Sequence, residues 1–204
     1  MRRPFETVFQ FKITLLGTEP PVWRRIQVPG SYTFYDLHVA LQNAMGWTDS
    51  HLHAFETAGA RRVRIESPYA AEDIYEEIND FTTEAALAKY LQREGDAAVY
   101  EYDFGDGWRH EVTLEKILPK APGITYPVCL DGRLACPPED CGGPGGYADC
   151  LKLAAGKRPN EEEEENRRLK TWLGDWRPEE FDPGAVVFED PRTRFLETME
   201  DAEL

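Results

Sequence analysis

Strict alternation opens the chain. From Val8 to Leu16, the residues Phe9, Phe11, Ile13 and Leu15 alternate with Gln10, Lys12 and Thr14, the period-two pattern of a strand with one buried face. Val22 to Val28 repeats it, with Val22, Ile26 and Val28 against Trp23, Arg25 and Gln27, so the two runs are expected to pair antiparallel across the turn at Gly17 to Pro21. After Pro29-Gly30 the period changes. Thr33 and Asp36 begin a helix in which Phe34, Leu37, His38, Leu41, Ala44 and Met45 share a face until Gly46 stops it. This helix should cover the sheet.

His51 to Phe55 and Arg61 to Ile65 read as two short strands around Ala58-Gly59, and Ala70 to Asp80 as an acidic loop with a helical turn. Thr83 to Arg93, ending at Gly95, reads as a helix. The clearest hairpin follows, with Val99 to Phe104 and Trp108 to Leu118 flanking Gly105-Asp106-Gly107. Six prolines and six glycines between Pro119 and Gly146 exclude a regular element running through that stretch. Two helices, Tyr147 to Ala155 and Glu161 to Leu173, complete the pattern. The expectation is an α+β fold, mainly antiparallel sheet covered by helices, with a Pro/Gly/Cys-rich loop and acidic C-terminal helices.

Charge narrows the partners. The 204 residues carry 38 acids and 23 bases, a net charge of −15, which argues against strong sequence-independent binding to nucleic acid or to anionic lipid. From Lys157 onward there are fifteen acids and eight bases, so the C-terminal quarter is the most acidic part. No apolar run reaches the ~18 residues that span a bilayer, and Met1-Arg2-Arg3-Pro4 leads into no signal-peptide core. A cytoplasmic protein is expected, and in that compartment Cys129, Cys136, Cys141 and Cys150 read as free thiols or metal ligands rather than disulfides.

Three segments carry candidate chemistry. His110 shares the inward face of its strand with Trp108, Val112 and Leu114, and Asp103 and Asp106 flank the turn beside it; a carboxylate there could fix the imidazole tautomer or share a cation with it. His51 and His53, two apart, would face one side of a strand together with Phe55, which suits a metal or a proton relay. Cys129, Cys136 and Cys141 fall in the proline-rich loop, where a metal clip would supply the stability that ladder hydrogen bonds cannot; with His110 they would make a four-ligand zinc site. Gly142-Gly143-Pro144-Gly145-Gly146 precedes a helix but lacks the Lys-Ser/Thr ending of a phosphate-binding loop.

Four segments together resemble one family: Pro21-Val22-Trp23-Arg24-Arg25-Ile26; Ala44-Met45-Gly46-Trp47 running into His51-Leu52-His53-Ala54-Phe55; Tyr102-Asp103-Phe104-Gly105-Asp106-Gly107-Trp108-Arg109-His110; and Ala135-Cys136-Pro137-Pro138-Glu139-Asp140-Cys141-Gly142-Gly143 through Tyr147. In them the chain resembles the Ri-plasmid open-reading-frame-three-like family, whose relatives also occur as passenger proteins of insertion elements under a TnpR-like label. The resemblance implies a single α+β domain over residues 1–190, with 191–204 an acidic tail, and an association with plasmids or mobile elements. No serine-recombinase nucleophile pattern and no basic tail accompany the resolvase label. The resemblance also groups the polar signatures into one expected site: His53, Asp103, Asp106, His110, Glu139 and Asp140 as a cluster that binds zinc or another divalent cation and activates water for hydrolysis. Its partner would be a small ligand or a protein. The alternative is a non-catalytic interaction or accessory module whose polar signatures fix loops.

Overall fold

The computed structural model describes residues 5–57, 62–67 and 80–202. Within them eight strands form one sheet: β1 (Thr7–Leu15), β2 (Trp23–Pro29), β3 (His53–Thr57), β4 (Val63–Glu66), β5 (Asp80–Phe81), β6 (Ala97–Tyr102), β7 (Trp108–Pro119) and β8 (Val128–Arg133), in the order β5-β4-β3-β6-β7-β1-β2-β8. All neighbours are antiparallel except β4 and β5. The helices are α1 (Phe34–Met45), the single turn α2 (Leu87–Tyr90), α3 (Gly143–Ala154), α4 (Glu163–Leu173) and α5 (Pro191–Ala202). No described helix is long and apolar enough to cross a membrane.

Register turns the alternation into a core. Ile65, Phe55, Tyr100, His110 and Leu15 are paired successively across β4, β3, β6, β7 and β1, and each of the five is at most 1% exposed. His53, Tyr102 and Trp108 form the adjacent row. On the opposite face Arg25 pairs with Glu115 at 2.7 Å, with Gln10 and Gln27 joining the same chain of hydrogen bonds.

Helix α1 lies over the inner face because its apolar stripe and its ends are both specified locally. Asp36 N donates to Thr33 Oγ1 at 3.2 Å and Thr33 N to Asp36 Oδ2 at 2.9 Å, a reciprocal cap, and Gly46 ends the helix in the left-handed region at φ 90°. Phe34, Leu37, Leu41, Ala44 and Met45 are buried as the spacing predicts. Arg24 shares their interior at 1% exposure. Its Nε donates to Ala44 O at 2.8 Å and its Nη1 to Trp23 O and Arg133 O, while Phe181 lies 3.6 Å beneath the guanidinium. The cation thus meets the carbonyl-rich end of α1, where the helix dipole favours positive charge.

Four elements differ from the sequence pattern. The helix expected over Thr83 to Arg93 is only one turn. Ala85 O and Thr82 O accept the first N–H groups of α1, from Phe34 and Tyr35, and Leu87 N donates to Tyr32 O, so this backbone closes the helix above it instead of forming its own. Inside the proline-rich stretch, the proline-free run Val128–Arg133 forms β8 against β2. Helix α3 starts at Gly143 rather than Tyr147, with Pro144 in its first turn, a position where the missing proline N–H has no helical partner to lose. The segment read as an acidic tail contains α5, whose Phe195 packs edge-on to Tyr35 at 5.5 Å. The turn at Ala58-Gly59 and most of the acidic segment from Ala70 lie outside the described residues.

Candidate functional site

Two groups of three ligand-type side chains converge among the described residues, each with its atoms within 4.8 Å of one another: His38, Asp49 and His53, and His51, Asp103 and Asp140. They differ in burial and in what their atoms already do.

The first group is a closed polar ring in the core. A carboxylate can only accept, so the 2.8 Å contact between His38 Nε2 and Asp49 Oδ1 places the proton on Nε2. In that tautomer Nδ1 accepts from Tyr100 Oη at 2.8 Å. Tyr100 Oη accepts from Gln42 Nε2 at 2.9 Å, and Gln42 Oε1 accepts from Asp49 N at 3.1 Å, which closes the ring. Burial holds the Tyr100 hydroxyl well above its ordinary pKa, so it remains a donor. His53 stacks on His38 with centroids 3.5 Å apart and planes within 10° of parallel. Burial first, then the neighbouring His38, holds His53 well below its ordinary pKa and therefore neutral. A metal ion binds in the plane of an imidazole, along the nitrogen lone pair, and two parallel planes 3.5 Å apart do not meet at a common ion. As arranged, His38, Asp49, Tyr100 and Gln42 form a hydrogen-bonded core network, against which His53 is stacked with its Nε2 unpartnered among the described residues.

The second group stands at the ends of the interior strands β3 and β6, built from three segments. His51 precedes β3, half-exposed, with Nε2 2.9 Å from Asp140 Oδ1 and 3.7 Å from Asp103 Oδ2. Asp103 follows β6 in the left-handed region, φ 53°. Its Oδ1 accepts from Gly105 N and Asp106 N, which ties one oxygen to the hairpin turn and leaves Oδ2 turned to His51. Asp140 likewise has φ 58°. With Asp49 at φ 62°, three of the four described non-glycine residues in this region are the carboxylates that face the two histidine groups. Such conformations cost of order 1 kcal/mol or more and persist where surrounding structure imposes them.

Glu139 and Asp106 supply that surrounding structure. Glu139 Oε2 accepts from Thr48 N at 2.9 Å and from Thr48 Oγ1 at 2.6 Å, while its Oε1 accepts a hydrogen bond from the Tyr102 hydroxyl. Burial, reinforced by Glu139, pushes the Tyr102 hydroxyl up. Asp106 Oδ2 accepts from Gly142 N at 3.1 Å, and a Cβ on Gly143 would lie 2.5 Å from Asp106 O. The glycine run therefore lets the loop that carries Asp140 close onto the hairpin turn. Arg194 of α5 donates to Thr48 O at 3.2 Å, which anchors the third segment.

The expected six-residue cluster is thus divided. Asp103 and Asp140 come together, but with His51 rather than His53, because β3 begins at His53 and only that histidine enters the inward row. Glu139 and Asp106 fix the loops. His110 is fully buried, with Nδ1 donating to Tyr100 O at 3.4 Å and Nε2 without a partner among the described residues; burial lowers its pKa to about 3. The four atoms expected in a zinc clip, from Cys129, Cys136, Cys141 and His110, are not one of the converging groups. Cys129 sits on β8 with its thiol toward Asp131 O, and Cys141 directs its thiol to Gly143 O at 3.9 Å. All four thiols are free, and burial pushes those of Cys129 and Cys136 up. The apolar stripe of α1 concealed the role of His38, and no pattern in the sequence marks Asp49.

The family model described as plasmid pRiA4b ORF-3-like protein matches residues 7–185. "Uncharacterized protein y4hQ" of Sinorhizobium fredii (strain NBRC 101917 / NGR234) is 40% identical over 153 residues, 72% of this chain and 74% of that relative. The crystal structure of a "Protein of Unknown Function", MM3350 from Methanosarcina mazei Go1, is similar with a TM-score of 0.79 at 40% identity, covering 92% of this chain and all of that one. With the whole described sheet and the glycine loop inside the matched region, this chain belongs to the plasmid pRiA4b ORF-3-like family.

Proposed function

We propose that the protein binds a divalent cation through His51 Nε2, Asp103 Oδ2 and Asp140 Oδ1, and that this cation serves a hydrolytic reaction on a small ligand. The observation that carries the reading is the convergence of these three atoms, from three separate segments, within 4.8 Å at the ends of two interior strands. One imidazole and two carboxylates suit zinc or manganese, and three protein ligands leave coordination positions for water and substrate. A cation in such a position lowers the pKa of bound water and polarises an ester or amide oxygen. The chain's own contribution is placement: Asp103 is oriented by its turn, Asp140 by the glycine loop, and both loops are locked by Glu139 and Asp106.

A non-catalytic accessory module is the reading favoured by Glu139 and Asp106, whose oxygens serve loop contacts. Cation binding separates the two. Protein purified without a histidine tag should retain about one metal equivalent by elemental mass spectrometry, or take it up with a dissociation constant of about 10 μM or tighter in calorimetry. Asp140→Asn should weaken binding at least tenfold without lowering stability. Absence of saturable Zn²⁺ or Mn²⁺ binding, or equal binding by His51→Ala and the parent, would overturn the proposal.

A further inference from the structure

Outside the candidate cation site the charge distribution has one sharp exception. The chain carries a net charge of −15, and its most acidic portion begins at Lys157, yet a cavity of about 630 Å³ between the end of α3, the flank of α4 and the turn after it is lined by Lys157, Arg158, Arg167, Lys170 and Arg177, with Trp176 in its wall. Two acids, Glu163 and Asp175, also line it, so five cations face two anions in this one depression. The volume falls within the range of small-molecule sites.

The cations are held in reserve rather than neutralised. Lys157 and Lys170 have no ion pair among the described residues. Arg158 pairs with Glu163 at 3.0 Å and Arg167 with Glu164 at 3.0 Å, and Arg177 reaches Glu180 at 3.5 Å; all are exposed pairs, worth little each and readily exchanged for a stronger acceptor. Guanidinium groups match phosphate oxygens with paired N–H donors, and lysines add point charge. The cavity floor is fixed: Asn166, buried on α4, accepts from Asn160 N and donates to Asn160 O and Glu162 O, which holds the α3–α4 connection. Three carbonyls of the last turn of α3, those of Leu151, Lys152 and Leu153, are capped by the N–H groups of Ala155, Lys157 and Gly156 and so repel an anion less. Trp176 is anchored by its Nε1 donating to Cys136 O at 3.1 Å and by edge contact with Tyr147.

We propose that this cavity binds a chain of phosphates, carried either by a nucleotide or by inorganic polyphosphate. The inference does not rest on the cation site, and its test is run without free metal. Calorimetry with sodium tripolyphosphate, ATP and adenosine, in EDTA and 150 mM NaCl, should give saturable binding of the first two with dissociation constants below about 1 mM and none of adenosine. Equal affinity for tripolyphosphate and ATP assigns recognition to the phosphates alone; tighter ATP binding that is lost in Trp176→Phe adds the base. The double variant Lys157→Glu/Lys170→Glu should lose at least tenfold. The double variant Arg93→Glu/Lys116→Glu, with the same charge change at exposed positions elsewhere, should lose less than twofold. Absence of saturable phosphate binding, or equal loss in both charge-reversal variants, would overturn the proposal.

Discussion

Removing one oxygen atom tests the buried ring. Tyr100→Phe keeps the aromatic packing, since the ring lies 4.7 Å from Phe55 and 5.3 Å from His110, contacts that do not involve the hydroxyl. The variant does remove the donor to His38 Nδ1 and the acceptor of Gln42 Nε2, both in the core. Each abandoned group costs about 1–3 kcal/mol when no water replaces the partner, and the slightly more apolar Phe recovers part of that. A net destabilisation of about 2–3 kcal/mol is expected, equivalent to a fall in Tm of roughly 5–10 °C for a domain of this size. Urea titration followed by tryptophan fluorescence measures it, with the m-value checked for constancy. A cycle with Gln42→Leu should reveal coupling, since the double variant loses both ends of one bond and should cost less than the sum of the single losses. Nitrogen NMR of His38 should report Nε2 protonated in the parent. A loss under about 0.5 kcal/mol, or a His38 protonated at Nδ1 in the neutral parent, would refute the hydrogen-bond directions on which this reasoning rests.

His110 makes stability pH-dependent. Its folded pKa of about 3 lies below the unfolded value near 6.5, so the unfolded chain binds the extra proton first: the contribution is complete above pH ~6.5 and falls by up to about 1.4 kcal/mol per pH unit on acidification. Chemical denaturation between pH 7 and 4.5 should show a shallower decline for His110→Phe than for the parent, and identical slopes would contradict the assignment. Gly146→Ala should be among the most damaging small substitutions, because its Cβ would lie 1.6 Å from Cys141 O; the expected result is a loss of several kcal/mol, or a displaced loop with metal affinity lowered at least tenfold, whereas a parent-like melt and titration would show that the loop has room. Glu139→Gln exchanges a three-way acceptor for an amide and should cost about 1–3 kcal/mol and weaken cation binding at the proposed site by misplacing Asp140; unchanged thermal melting would count against its anchoring role.

The elements fixed by local chemistry were legible in the sequence. Strands β1, β2, β6 and β7 follow from alternation, and α1 from the Thr33–Asp36 cap, its apolar stripe and Gly46. What escaped were elements whose backbone partners are distant. The 83–93 segment has helical spacing, but its carbonyls serve the start of α1, which no local pattern reveals. Strand β8 has only six residues amid prolines and exists because β2 offers an open edge. The site was half legible for the same reason. Asp103 and Asp140 stand in recognisable motifs, whereas the choice between His51 and His53 depends on where β3 starts, and that is set by contacts such as Ser50 N to Tyr102 Oη at 3.0 Å.

The left-handed backbone of Asp103 and Asp140 limits how the site can change. Charge alone would make glutamate the conservative replacement, yet its longer side chain loses the short-range contacts with its own turn that let aspartate and asparagine tolerate positive φ. Asparagine keeps the turn contacts and glycine only the backbone angle, each sacrificing the charge; glutamate preserves the charge while straining the loop. Saturation mutagenesis selected for folding should therefore admit Asn and Gly at both positions ahead of Glu, and selection for cation binding should return Asp alone. At these two positions single substitutions reach a folded protein or a charged one but not both, so the acidic pair can be lost in one step and regained only by the same residue.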